Sequence, residues 1–498
     1  MKPHFNSNRK SLILVTVDCL RADHVGFMGY ARPTTPFLDS LAKESCVFRS
    51  ATTAGAPTYF SLPAILGARY PLSLGREVVG IALGESTLAS VLRAQGYATA
   101  CFNAANPYIS ELFGYHQGFD VFEDFAADPA AIPHSSAPGL SWKAKLNRNL
   151  AQASQQLGPL SAIYEELYFQ YCQRLAGPSP TSMDEVRRFP TADVLVSRAC
   201  DWLDSIGNQP FFLWLHLMDP HAPYYPADQA MAWSKTAISP SEAVYLNSYW
   251  NRGDLSGSRL HAKKNPIVEL YDAAVYWVDE QLMRLAQRLM NRQRWHDCAM
   301  AVTADHGEEF LDHGGRYHAP HRLHEELIHV PLLLRVPGLT RRAVEQPFSL
   351  LHLAPTLLDA IEVKRPQTFS GASHWPHLAG LGEWHEPCIA EAISGCTNPT
   401  VRANRLHPRT MAVREGRYKL HLQFETGCAE LFDLEADPKE LRPIAENVEF
   451  TTRRRLLEVA LDHLERSVNQ RDTLSGLRSK LRQLQLQWPH SLAKSAYT

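Results

Sequence analysis

Ser11-Leu-Ile-Leu-Val-Thr-Val17-Asp18-Cys19-Leu-Arg21-Ala-Asp23 decides how this chain is read. Ser11–Val17 is a short apolar run with no polar alternation, as expected of a parallel strand covered on both faces. Charge begins abruptly at Asp18, so that carboxylate is predicted to stand rigidly at the carboxyl end of a strand. The pattern recurs twice. Pro210-Phe-Phe-Leu-Trp-Leu-His-Leu217 leads into Asp219-Pro-His221-Ala-Pro-Tyr224, and Ala299–Thr303 leads into Asp305-His306-Gly-Glu-Glu309. Helical patterns intervene: Thr35–Glu44 is opened by Pro36, and Thr87–Gln95 precedes a strand at Ala98–Asn103. Strands alternating with helices imply an α/β fold around a mostly parallel sheet. Ligands in such sheets collect outside the carboxyl ends of the strands. The clusters 18–23, 219–224 and 305–313 are therefore expected to converge on one site.

The 498 residues suffice for one large domain, or a large one with a small companion. Hydrophobic residues at 45% and charged residues at 20% fit a soluble globular chain. A net charge of −2 gives no basic footprint, so no nucleic-acid partner is expected. Nine scattered cysteines without CxxC pairs argue for reduced thiols and a cytoplasmic protein. The apolar run Leu12–Val17 is too short for a signal core or a membrane span. Oligomeric state is left open.

The expected division is a catalytic domain at 1–340, carrying a helical insertion at about 137–185, and a C-terminal α+β subdomain at 341–466. Residues 467–498 read as a peripheral helix and tail. In the C-terminal part, Thr410–Phe424 reads as a hairpin turning at Glu415-Gly416, followed by a strand and turn at Glu430–Glu440 and a helix at 450–466.

Asp18, Asp305, His306 and the hydroxyl of Thr58 together offer a shell for one divalent cation that would also lower the hydroxyl's pKa. Oxygen plus imidazole suits Mg²⁺, Mn²⁺ or Zn²⁺, whereas an all-oxygen shell would suit Ca²⁺ better. Thr58 lies in Ala56-Pro-Thr-Tyr-Phe-Ser-Leu-Pro63, just before a helix candidate at Ser61–Leu66, where helix N–H groups favour a developing anion. His221, between Pro220 and Pro223, is a candidate to hydrogen-bond the ester or leaving-group oxygen; the plainer alternative is a histidine that stabilises its turn. One of His318 or His321 is expected to contact the oxyanion and act as general acid. Arg21 either touches substrate or holds its own loop, Asn103 is a further substrate-binding candidate, and Asp23 reads as structural. Cys19 is expected to point to the other face of the strand end.

These motifs resemble the sulfatase branch of the alkaline phosphatase superfamily over about residues 10–440. The resemblance is carried by Val17-Asp-Cys-Leu-Arg-Ala-Asp-His-Val-Gly-Phe-Met-Gly-Tyr30, Thr35-Pro-Phe-Leu-Asp-Ser-Leu-Ala42, Asp219-Pro-His-Ala-Pro-Tyr224 and Asp305-His-Gly-Glu-Glu309. His329-Val-Pro-Leu-Leu-Leu-Arg-Val-Pro-Gly338 and Glu430-Leu-Phe-Asp-Leu-Glu-Ala-Asp-Pro-Lys-Glu440 extend it. It implies an alkaline-phosphatase-like, mostly parallel central sheet flanked by helices, a smaller C-terminal α+β subdomain, and one metal ion. Two positions depart from the pattern. Family sulfatases carry a Cys or Ser that is oxidised to formylglycine, and counting back from Gly67-Ala-Arg-Tyr-Pro71 places Thr58 there; oxidation of threonine would give a ketone, not an aldehyde. Cys19 stands where many sulfatases have the second Asp of an Asp-Asp pair. Thr58-Tyr-Phe-Ser61-Leu-Pro63 is similar to the Thr-x-x-Ser-x-Pro motif of phosphoethanolamine and glycerol-phosphate transferases.

The expected activity is metal-dependent hydrolysis of a phosphate or sulfate ester through a covalent Thr58 intermediate, with phosphate favoured. The expected substrate is a small-molecule or glycan- or lipid-linked anionic ester. A transferase acting on an envelope glycan or lipid precursor is the alternative within enzymes, and a non-catalytic anion-binding homologue the alternative outside them.

Overall fold

The computed structural model describes residues 9–125, 180–320, 322–445 and 448–467. The insertion expected at about 137–185 falls mostly, and the tail beyond 467 wholly, outside the described residues. Seven-residue Ser11–Val17 is a strand buried at every position, as a parallel strand between two helical layers must be. It lies inside an eight-stranded sheet of order Arg342–Val344, Cys46–Phe48, Leu332–Arg335, Cys298–Ala304, Ser11–Val17, Phe211–Leu217, Ala98–Asn103, Val121–Glu123. Leu332–Arg335 runs antiparallel to both its neighbours; the other described pairings in this sheet are parallel.

Two groups of helices flank the sheet. One centres on the 35-residue helix Gly257–Asn291, packed with Ala192–Ser205, Pro36–Leu41 and Pro240–Trp250. Buried carboxylates of the long helix hold the loop after the first strand. Asp279 accepts from the N–H groups of Phe37 and Leu38 at the start of the short helix, and Asp272 binds His24, Tyr30 and Arg32. The second group contains Thr58–Gly67, Leu88–Ala94 and Leu353–Ala360.

A four-stranded antiparallel sheet follows, made of Cys388–Ile393, Arg409–Glu415, Tyr418–Gln423 and Cys428–Asp433 in chain order. Gly416 takes the positive φ of 59° at the predicted hairpin turn. Helix Phe450–Ser467 packs on this sheet around Leu420, Leu422, Leu456 and Leu457. Residues from 341 to about 384 differ from the expected division. Arg342–Val344 adds a strand to the large sheet beside Cys46–Phe48, and Leu350, Leu353, Leu357 and Trp384 join the large core. Pro337-Gly338 thus marks a turn at the sheet's edge, and the small sheet begins at Cys388.

Candidate active site

Asp18 and Asp305 meet because their strands are adjacent, parallel and in register, Val17 facing Ala304. Each carboxylate is the first residue beyond its strand, and both are fully buried. His306 follows with its own N–H donated to Asp305 Oδ1 at 2.9 Å. Its Nδ1 lies 2.8 Å from the Gly307 carbonyl, which can only accept, so Nδ1 carries a proton and Nε2 turns toward the carboxylates. Nε2 lies 3.6 Å from Asp18 Oδ1 and 3.6 Å from Asp305 Oδ2.

Thr58 is the first residue of helix Thr58–Gly67, which starts three residues earlier than the sequence suggested. The helix is apolar on all sides and buried throughout, so its start is fixed by the core. The Thr58 hydroxyl stands 3.2 Å from His306 Nε2.

These residues fit a divalent cation. Asp305 Oδ2 is buried with no hydrogen-bond partner, and the donor atoms of Asp18, Asp305 and His306 all lie within 4.8 Å of one another. Asp18 is also oriented from behind. Its Oδ2 accepts from Asn106 Nδ2 at 2.8 Å and lies 3.3 Å from His216 Nε2, leaving Oδ1 to face the site. His216 Nδ1 in turn lies 2.8 Å from the Thr16 hydroxyl. Burial works against the charge on Asp18, but His221, the His216 hydrogen bond and His306 prevail and hold it well below the usual carboxylate range. Asp305 is pushed up, by burial and then by the charge of Asp18.

A cavity of about 410 Å³ opens over Thr58, lined by Tyr59, Tyr108, Met218, His221, Tyr317 and His318 among others. A second, of about 460 Å³, shares His221, Tyr317 and His318 and adds Arg188, Asn247 and Asn251. The His221 and His318 rings stand 5.1 Å apart, and His318 is 4.7 Å from His306. Both predicted histidines therefore border the cleft. His221 Nδ1 lies 2.6 Å from the Ala222 carbonyl, which fixes its ring.

Other expectations land elsewhere. His321 lies outside the described residues. The Arg21 guanidinium is consumed by Asp23, Asp312 and the Glu308 carbonyl, so it holds the loop and lines neither cavity. Asn103 donates to the carbonyls of Asn106 and Ile109, shaping the loop that brings Asn106 to Asp18. Asp219 accepts from the N–H of Ala192 at the start of helix Ala192–Ser205, and burial pushes its carboxyl up to about 7. Cys19 corrects an expectation. Its sulfur does not leave for the far face of the strand but lies 3.2 Å from Asp18 Oδ1, and burial, Glu308 and Asp18 push its thiol well up. Sequence reasoning also passed over His216, Asn106 and Glu308. A polar His216 inside the otherwise apolar Phe211–Leu217 run was a legible signal; Asn106 was not, because only loop geometry brings it to Asp18.

The chain also matches known proteins. The family model Sulfatase matches residues 10–363, and that of the N-sulphoglucosamine sulphohydrolase C-terminal region matches residues 313–467. The multifunctional alkaline phosphatase superfamily protein PehA of Trinickia caryophylli is 22% identical over 484 residues, covering 88% of this chain and 91% of that protein. Arylsulfatase K of Canis lupus familiaris is 27% identical over 286 residues, which is 50% of this chain and 51% of the relative. Among solved structures, phosphonate monoester hydrolase of Agrobacterium radiobacter superposes with a TM-score of 0.67 at 20% identity, over 94% of this chain and 97% of that one. The strand-end carboxylates, their order along the chain and the matched span agree: the chain belongs to the sulfatase family of the alkaline phosphatase superfamily, a family of ester-bond hydrolases.

Proposed function

We propose that this protein hydrolyses an anionic phosphate or sulfate ester, with Thr58 as nucleophile and a phosphate ester as the favoured substrate. The observation that carries this reading is the position of the Thr58 hydroxyl, 3.2 Å from His306 Nε2 at the start of a buried helix. Asp18, Asp305, His306 and Thr58 would hold one divalent cation, which when bound lowers the hydroxyl's pKa and offsets the charge of the ester.

In the first step the Thr58 hydroxyl gives its proton to solvent and its oxygen bonds to phosphorus. The bond from phosphorus to the leaving group breaks, and the leaving oxygen takes a proton from His221 or His318 at the cleft wall. Thr58 stands at the N-terminus of its helix, whose dipole favours the growing negative charge. Water then cleaves the threonyl ester, restoring the hydroxyl and releasing phosphate. An ordinary alkoxide suffices for phosphoryl transfer, whereas a secondary alcohol cannot supply the aldehyde hydrate of formylglycine sulfatases; this favours phosphate. The cleft, apolar and aromatic over Thr58 and more polar toward Arg188, suits an ester whose two ends differ in polarity, whether a small molecule or one linked to a glycan or lipid.

The test is intact-protein mass spectrometry after rapid acid trapping with an aryl phosphate ester. A single phosphoryl group on Thr58 is expected, absent in Thr58→Ala. Unchanged hydrolysis of aryl phosphate and sulfate esters by that variant would rule the mechanism out.

A further inference from the structure

Beside the oxygen and imidazole donors stands a donor of another chemical kind. Cys19 adopts a left-handed backbone, φ 62°, which residues other than glycine seldom take. Tyr271 of the long helix fixes it: the hydroxyl accepts from the N–H of Arg21 at 2.9 Å and donates to the Cys19 carbonyl at 2.8 Å. The turn aims the side chain back into the site. Sγ lies 3.2 Å from Asp18 Oδ1 and 3.5 Å from His318 Nδ1. It lies within 4.8 Å of donor atoms of His306 and His318, and equally of Asp18 and His221.

Two further side chains point to a ligand at this place. Asp305 Oδ2 and Glu308 Oε1 belong to fully buried carboxylates and have no hydrogen-bond partner. Glu308 Oε2 reaches His318 Nδ1 at 3.4 Å, which sets it beside the sulfur. Buried carboxylate oxygens left without a hydrogen-bond partner are costly, and a bound cation satisfies them.

We propose that Cys19 is a ligand of the cation at this centre, bound as thiolate, and that its sulfur makes the centre select Zn²⁺ or Co²⁺ over Ca²⁺ and Mg²⁺. The inference rests on the cation site of the proposed function and adds to it a sulfur donor and the class of ion. The sulfur of Cys19 stands within 4.8 Å of donor atoms of Asp18 and of His306, so carboxylate, imidazole and thiolate meet at one centre, donor types that zinc accepts, with the Thr58 hydroxyl at the position open to chemistry. Calcium and magnesium take oxygen donors, so a sulfur in the shell discriminates against them. Cys19 gives its proton to solvent as the ion binds.

X-ray absorption at the zinc edge of the full chain, stripped of metal and reloaded with Zn²⁺ alone, tests this. One sulfur scatterer at about 2.3 Å is expected in the native protein and none in Cys19→Ser. That substitution should weaken Zn²⁺ binding at least roughly tenfold, since even outer-shell partners are worth that much, and leave Ca²⁺ binding little changed. The native spectrum carries the test even where the variant folds poorly. A Zn²⁺-loaded native protein with only nitrogen and oxygen scatterers overturns the inference while leaving the cation site intact, as does a sulfur signal that persists in Cys19→Ser. Failure of the native protein to take up a stoichiometric cation overturns the cation site itself.

Discussion

The side-chain amide of Asn106 donates to Oδ2 of Asp18 at 2.8 Å, from a loop that reaches the carboxylate across 88 positions of sequence. With His216 on the same oxygen, it fixes which Asp18 oxygen faces the site. Outer-shell donors of this kind orient a ligand without touching the ion. Asn106→Ala and His216→Ala are each expected to weaken divalent-cation binding roughly 10- to 100-fold. Competition with a chelating dye measures this; binding within twofold of native in both variants would show that Asp18 needs no such support.

Thr58→Ala is expected to lower kcat for an aryl phosphate ester by roughly 10³-fold or more, because it removes the attacking oxygen itself. Thr58→Ser keeps the oxygen and should retain measurable turnover through the same covalent intermediate. Steady-state kinetics on both variants, with circular dichroism to confirm folding, distinguish loss of the nucleophile from loss of structure.

Asp18 and Asp305 are buried side by side, so removing a cation from between them leaves two like charges facing in low dielectric. Adding a divalent cation at about 100 times its Kd should stabilise the chelator-treated protein by about 2.7 kcal/mol. The readout is a rise in Tm on titration. Asp305→Asn should abolish most of that rise, and a Tm that ignores every divalent ion would contradict the site.

Gly307 holds the Asp305-His306 turn against the next segment. A methyl group there would stand 2.0 Å from the Glu326 carbonyl oxygen and 3.0 Å from its carbon, both backbone atoms that cannot swing aside. The glycine is required for close approach of two backbones, with its N–H donating to the Leu327 carbonyl at 2.9 Å. Gly307→Ala is expected to cost about 1–3 kcal/mol in urea unfolding and to reduce bound metal, read by elemental analysis.

Glu391 ties the small sheet to the large domain, accepting from the Leu72 N–H at 3.0 Å and lying 3.2 Å from both Arg409 and His463. Burial opposes its charge, yet His463 and Arg409 prevail and lower its carboxyl from 4.5 to about 2. A carboxyl held lower in the folded chain than in the unfolded one contributes stability above its unfolded pKa, and that stability is lost as pH falls through the folded pKa. Unfolding free energy should therefore decline between about pH 5 and pH 2, with Glu391 contributing about 3 kcal/mol of the loss. Glu391→Gln should flatten that part of the pH profile and cost roughly 3–5 kcal/mol at neutral pH.

Much of the site was legible because strand-end chemistry is local. Ser11–Val17, Phe211–Leu217 and Cys298–Ala304 announced themselves as buried strands through mostly apolar runs without polar alternation, and Asp18, Asp305 and His306 stood one residue or two beyond them. The fate of Arg21 and Asn103 was not legible, since a charged or amide side chain at a strand end serves substrate or loop equally well until its partners are known. The placement of Arg342–Val344 was not legible for a related reason: the strand is too short to show which of two sheets it joins.

The sequence by itself determined the α/β architecture, the strand ends that carry the carboxylates, and the family, because apolar periodicity and motif order survive without knowledge of contacts. Tertiary structure alone decided the direction of the Cys19 sulfur, the pairing of Asp18 with Asn106 and His216, and the distance from Thr58 to His306. These depend on one left-handed backbone angle, on a loop crossing from a strand two places along the sheet, and on a buried helix whose start is fixed by packing. None of these is encoded in the spacing of residues along the chain.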